Sequence, residues 1–195
     1  VPGDGQAGPL LRPACRNEGL ELINLGAALA GGGGNRREQD FYPTPWEATV
    51  ALLEEVKFPR HIWEPACGDG AMANVLEGYG YDVISTDLVD RGFEDMLGEF
   101  NFLDVLRPHQ PCDAIITNPP FNLASKFISK ALSFTPIVAM LLKSQFWHAA
   151  RRLPLFEKHP PSRVLPLTWR LDFTGGGAPT MDCTWFVWGG EGLPF

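Results

Sequence analysis

"HIWEPACGDGAMANVLEGYGYDVISTD" (residues 61–87) reads as one strand–turn–helix–strand unit. "HIWEPA" (61–66) is short and apolar, "CGDG" (67–70) turns, and "AMANVLEGYG" (71–80) reads as a helix stopped by Gly80. "YDVISTD" (81–87) returns as a strand with Val, Ile and Thr and ends on an acid. Strands joined through a helix run parallel, because only a crossover brings the chain back in the same direction. The pattern recurs downstream. "CDAIITN" (112–118) is a third strand, "LASKFISKALSF" (123–134) a helix and "TPIVAMLLK" (135–143) a fourth strand. Nearly continuous apolar strands alternating with helices predict an α/β fold, with a mostly parallel sheet covered on both faces. "SRVLPLTWR" (162–170) and "CTWFVWGG" (183–190) have no helical period between them, which predicts an antiparallel pair at one edge. Upstream, "YPTPWEATVALLEEV" (42–56) shows helix-start signals: Thr44 at the N-cap, Pro45 at the first helical position and Glu47 at the third. Trp46, Val50, Leu53 and Val56 then recur at helical spacing.

A chain of 195 residues that is 45% hydrophobic can bury one full core. Its 16 basic and 23 acidic side chains leave a net charge of −7, which argues against strong non-specific nucleic-acid binding. The charge is unevenly divided, however. Residues 1–113 hold 19 acids and 8 bases, whereas residues 114–195 hold 4 acids and 8 bases, a split that suggests two faces with different ligands. The longest apolar run, "TPIVAMLLKSQF" (135–146), is about half a membrane span and is cut by Lys143, so no membrane contact is expected. No secretory signal is visible either. Four scattered cysteines without a CxxC pair predict reduced thiols in a cytoplasmic setting and no metal site. Residues 1–40, with "AGGGGNRRE" (30–38), read as a flexible Gly-rich arm, and residues 41–195 as one domain with no separate second domain visible.

Three motifs fall at carboxyl ends of predicted strands, where ligands bind in such folds. In "WEPACGDG" (63–70), Gly68 and Gly70 allow unusual dihedrals and close backbone approach. The helix behind them offers N–H groups to an anion, while Glu64 and Asp69 accept from an ammonium. That combination suits an amino-acid moiety better than a dinucleotide phosphate. Asp87, 18 residues after Asp69, stands where a ribose diol is gripped, although a solvated loop acid would read the same. In "IITNPPF" (115–121), two prolines force the chain out of the sheet and leave carbonyls without competing donors. Asn118 adds an amide oxygen and Phe121 a ring face. Together they make a pocket for a planar ring bearing an amino group.

"EPACGDG", "STD" and "NPPF" in that order, preceded by "YPTP", resemble class I S-adenosylmethionine-dependent methyltransferases, and more narrowly the DNA adenine-N6 enzymes with a (D/N/S)PP(Y/F/W) motif. The late "RLDFTGGG" and "TWFVW" resemble the closing strands of small phage or prophage members. The likeness covers roughly residues 40–190. It implies a Rossmann-like, seven-stranded sheet with an antiparallel edge hairpin, S-adenosyl-L-methionine as cofactor, and a setting in a bacterial or phage-infected cell. It also implies roles. Asn118, Pro119, Pro120 and Phe121 are the catalytic set. Tyr42, Thr44, Glu64, Ala66, Gly68, Asp69 and Asp87 surround the cofactor. "NFLD" (101–104) stands where the adenine of the cofactor is read, by Asn101 or alternatively Asp104. The expected partner is DNA, with RNA or a glutamine amide as alternative substrates and a silent nucleic-acid-binding protein as a further one. The chain is expected to be a monomer or a homodimer. Arg151, Arg152, Lys158, Arg163 and Arg170 are candidate phosphate contacts. Phe146 and Trp147 are core, lid or wedge residues.

Overall fold

The computed structural model describes residues 42–177, 179 and 181–189, so the expected arm over 1–40 lies outside the described residues. Helix α1 spans Trp46–Glu55, followed by β1 (His61–Glu64), α2 (Ala71–Gly78), β2 (Asp82–Asp87), β3 (Met96–Glu99) and β4 (Ala114–Thr117). Then come α3 (Ala124–Ala131), β5 (Ile137–Lys143), two short 3-10 turns (Ser144–His148 and Ala150–Arg152), α4 (Leu153–Lys158), β6 (Arg163–Pro166) and β7 (Cys183–Trp188).

The seven strands form one sheet in the order β3-β2-β1-β4-β5-β7-β6. The first five run parallel, and β7 is antiparallel to both β5 and β6. The order reverses between β1 and β4, so the carboxyl ends of those strands flank a crevice. Strand β3 is the one that the residue pattern hides. It has four residues, includes Gly98, and alternates half-buried and exposed positions at the sheet edge.

Period-two alternation divides the core. Ile62, Ala114, Ile116, Ala139, Leu141, Trp185 and Val187 face one side, with Ala48, Leu52, Met72 and Leu76 of α1 and α2. Trp63, Ile115, Val138, Met140, Leu142 and Phe186 face the other, with Phe127 and Ile128 of α3. Trp185 is wholly buried and donates its indole N–H to the Ala48 carbonyl at 2.8 Å, tying β7 to α1. Truncating it to alanine should destabilise the fold by about 3–5 kcal/mol in denaturant titration.

The start of α1 differs from expectation. Pro45 has φ −56 and ψ 129, an extended conformation, so it is the cap residue and the helix begins at Trp46. No side chain caps it, and the Thr44 hydroxyl is used elsewhere. Trp46 is half-exposed rather than core, whereas Val50, Leu53 and Val56 are buried as their spacing implied. Among the described residues, no helix is long and apolar enough to cross a membrane.

Candidate active site

The turn between β1 and α2 is built on glycine. Gly68 has φ 60 and Gly70 φ 81, left-handed values that disfavour a side chain. A Cβ on Gly70 would also lie 2.3 Å from the Phe93 ring. The turn is tied to the end of β2: Cys67 N–H donates to the Thr86 carbonyl at 3.0 Å, and Gly68 N–H to Asp87 Oδ2 at 2.8 Å. Val89 N–H donates to Asp87 Oδ1 at 3.2 Å. An ionised carboxylate offers about four lone-pair sites, so Asp87 keeps acceptor capacity for a ligand diol. Asp69 Oδ1 accepts from Ala71 N–H at 3.3 Å, and the residue lines the cleft.

Glu64 lies beneath this turn rather than on its open wall, only 1% exposed, and its Oε2 has no hydrogen-bond partner. Burial, reinforced by the negative fields of Asp87 and Asp69, pushes its carboxyl well above the ordinary carboxylate range. Cys67 is buried beside it, and burial with the Glu64 charge raises its thiol far up. It is therefore not a thiolate nucleophile.

Across the crevice, the chain leaves β4 through Asn118, Pro119 and Pro120. With the carboxamide assigned so that Nδ2 donates to Thr44 Oγ1 at 3.1 Å, Asn118 Oδ1 is buried and unpartnered. Thr44 is thus a positioning group for Asn118 and not a helix cap. The Pro120 carbonyl accepts Leu123 N–H at 2.8 Å, and no described loop N–H donates to the Pro119 carbonyl. Phe121 packs edge-on to Phe173 at 6.4 Å between ring centroids, and Phe173 in turn meets Tyr42 at 6.0 Å. The Lys143 ammonium stands 4.7 Å from the Phe121 ring centroid, at the end of β5.

These elements line one open cleft. Tyr42, Thr44, Ala66, Gly68, Asp69, Asp87, Asn101, Asn118, Pro119, Pro120 and Phe121 all line it, whereas Glu64, Gly70 and the alternative Asp104 do not. Asn101 and Asp104 have different positions. Asn101 lines the cleft, donates from Nδ2 to Asp104 Oδ2 at 2.6 Å, and accepts Leu103 N–H at 3.2 Å. Asp104 is not a wall residue and holds Asn101 in place. Leu88, Arg91, Phe100, Phe102 and Phe127 also line the cleft and were missed. Phe102 lies within "NFLD"; the others come from loops and a helix that carry no motif, and only the fold brings them together.

No model of a known protein family matches the chain, and no curated protein matches it in sequence. Solved structures do match. The fold is the Rossmann-like fold of class I methyltransferases. A Pyrococcus horikoshii protein provisionally described as an RNA methyltransferase is 15% identical with a TM-score of 0.59, over 77% of this chain and 87% of that one. A Listeria monocytogenes protein provisionally described as a class I S-adenosylmethionine-dependent methyltransferase is 16% identical with a TM-score of 0.57, over 83% of this chain and 64% of that one. The 23S rRNA methyltransferase ErmE is 13% identical with a TM-score of 0.52, over 76% and 70%.

Proposed function

We propose that the chain is an S-adenosyl-L-methionine-dependent methyltransferase acting on the exocyclic N6 amine of adenine in DNA. The observation that carries this reading is that Asn118, Pro119, Pro120 and Phe121 line one cleft with the glycine turn and Asp87, with the Asn118 amide held by Thr44. A buried acceptor without a donor is unfavourable by about 1–3 kcal/mol. Asn118 Oδ1 is shielded from solvent, so it turns toward the cleft to accept, and an incoming N–H then relieves that cost.

The cleft fits the cofactor's groups. Asp87 retains acceptors for ribose hydroxyls, and Asp69 can accept from the ammonium. Leu88, Phe100 and Phe102 supply apolar walls for an adenine, with Asn101 at its edge. When bound, the cofactor supplies an electrophilic methyl group on a sulfonium. The rest of the chemistry belongs to the chain. The adenine amine is a weak nucleophile because its lone pair is delocalised into the ring. Accepting its two N–H groups on Asn118 Oδ1 and the Pro119 carbonyl favours a pyramidal nitrogen and localises that pair. This is positioning and electrostatics, not covalent catalysis, in keeping with the un-ionised Cys67. Neither acceptor is basic enough to keep the surplus proton, so it leaves to water through the open mouth. Phe121 offers a ring for the extruded base, a contact worth about 1–3 kcal/mol against the unstacking that base flipping requires.

RNA is the second reading, favoured by the structural likeness to RNA methyltransferases. The experiment that tests both uses methyl-labelled cofactor with DNA, RNA and protein substrates, followed by digestion and mass spectrometry. N6-methyldeoxyadenosine is the expected product. N6-methyladenosine from RNA alone would move the assignment to RNA. No labelled nucleoside from either would overturn it.

A further inference from the structure

We propose that the open groove between α3 and α4 is a track for the phosphodiester backbone of the substrate strand. The proposal rests on the nucleic-acid reading above. The groove is lined by Lys126 and Lys130 of α3, Lys158 at the end of α4, and the adjoining His159. Ser125 and Ser129 add hydroxyl donors, and no carboxylate is among its described lining residues. That concentration is unusual in a chain of net charge −7.

Lys126 and Lys130 are four residues apart and therefore on one helix face. The Lys130 ammonium lies 5.2 Å from the Phe134 ring centroid, which holds its stem. Three other basic groups of the second half have partners within the chain. Arg152 donates to the Phe146 carbonyl at 2.7 Å, Arg163 to the Glu55 carbonyl at 3.0 Å, and Arg170 pairs with Asp182 at 2.9 Å. Three of the five phosphate contacts expected from sequence are therefore internal ties.

Continuity with the cleft identifies the occupant. Leu103 lines the groove, and its N–H donates to Asn101, a wall residue of the cleft. Helix α3 begins three residues after Phe121. A strand that places a base at Asn118 can lead its neighbouring phosphates into the groove. Ammonium and hydroxyl donors suit phosphate oxygens and carry no base sequence information.

The test is anisotropy binding of the full chain, saturated with cofactor, to labelled duplex DNA, single-stranded DNA and RNA across a salt series. The Lys126→Gln/Lys130→Gln/Lys158→Gln variant changes two exposed side chains and the half-buried Lys130, and Lys57→Gln is a control outside the groove. The triple variant should lose affinity by about tenfold or more, with its salt slope on duplex DNA reduced by about 2–3, while cofactor affinity by calorimetry and the Lys57→Gln values stay unchanged. The nucleic acid whose slope falls most is the one that uses the track. If the wild-type chain binds a nucleic acid and the triple variant keeps both affinity and slope, the track is wrong and the catalytic reading stands. If the wild-type chain binds none of the three, both fall.

Discussion

The two walls of the cleft solve opposite problems. The β1–β2 wall carries Asp69 and Asp87 over buried Glu64, and backbone N–H groups at 2.8 and 3.2 Å already hold the Asp87 carboxylate. The β4–β5 wall carries no acid. It presents Asn118, two prolines and Phe121, with Lys143 above the ring. A charged, pre-bonded wall suits a ligand with hydroxyls and an ammonium. A wall without carboxylates, bearing an amide and proline carbonyls, suits an amine that must not be protonated. On the proposed function, the acidic wall faces the cofactor and the wall without carboxylates faces the substrate amine.

If the comparison is right, variants on the two walls should fail differently. Asn118→Ala should reduce single-turnover methyl transfer by about 10²–10³-fold, by analogy with loss of one preorganised transition-state contact, while the cofactor dissociation constant barely moves. An equal loss of both would erase the distinction between the walls. Asp87→Ala should weaken cofactor binding by roughly 10- to 100-fold in calorimetry, the equivalent of about 1.5–3 kcal/mol for hydrogen bonds to a charged group, with a smaller effect on turnover at saturation. Thr44→Val keeps the shape but frees the Asn118 amide. Turnover should fall by about three- to tenfold, the size of one neutral hydrogen bond, with cofactor affinity retained.

The smallest effect concerns Glu64. Its folded carboxyl titrates above its unfolded value near about 4.3, so the unfolded chain releases the proton first. The native state is therefore favoured by this group below that pH and progressively loses the contribution as pH rises toward the raised folded value. Glu64→Gln removes the titration. Its melting temperature should exceed that of wild type at neutral to mildly alkaline pH, and the gap should close toward pH 4. A constant gap across that range would mean that Glu64 is ionised in the fold.

Much of the site was legible because its groups are local. "CGDG", Asp87 and "NPPF" each sit at a strand end, and a strand end has a fixed place relative to the crevice once the order of strands follows from the alternation. Thr44 shows where local reading failed. Its spacing to Glu47 matched a capping box, yet its hydroxyl bonds Asn118, 74 residues away. Strand β3 escaped because four residues with a glycine, half of them exposed, carry no hydrophobic run. The basic side chains misled in the same way, since their charge is visible in sequence and their partners are not.

By itself, the sequence determined the α/β alternation, the parallel sheet with its antiparallel pair, and the chemical character of the two walls. Those follow from hydrophobic period, glycine and proline, which act over a few residues. The tertiary structure alone decided that Thr44 orients Asn118, that Glu64 lies under the cleft and that Asn101, not Asp104, lines it. It also decided that three lysines from two helices share one groove. Such relations depend on which distant segments the core packs together, and no local pattern encodes them.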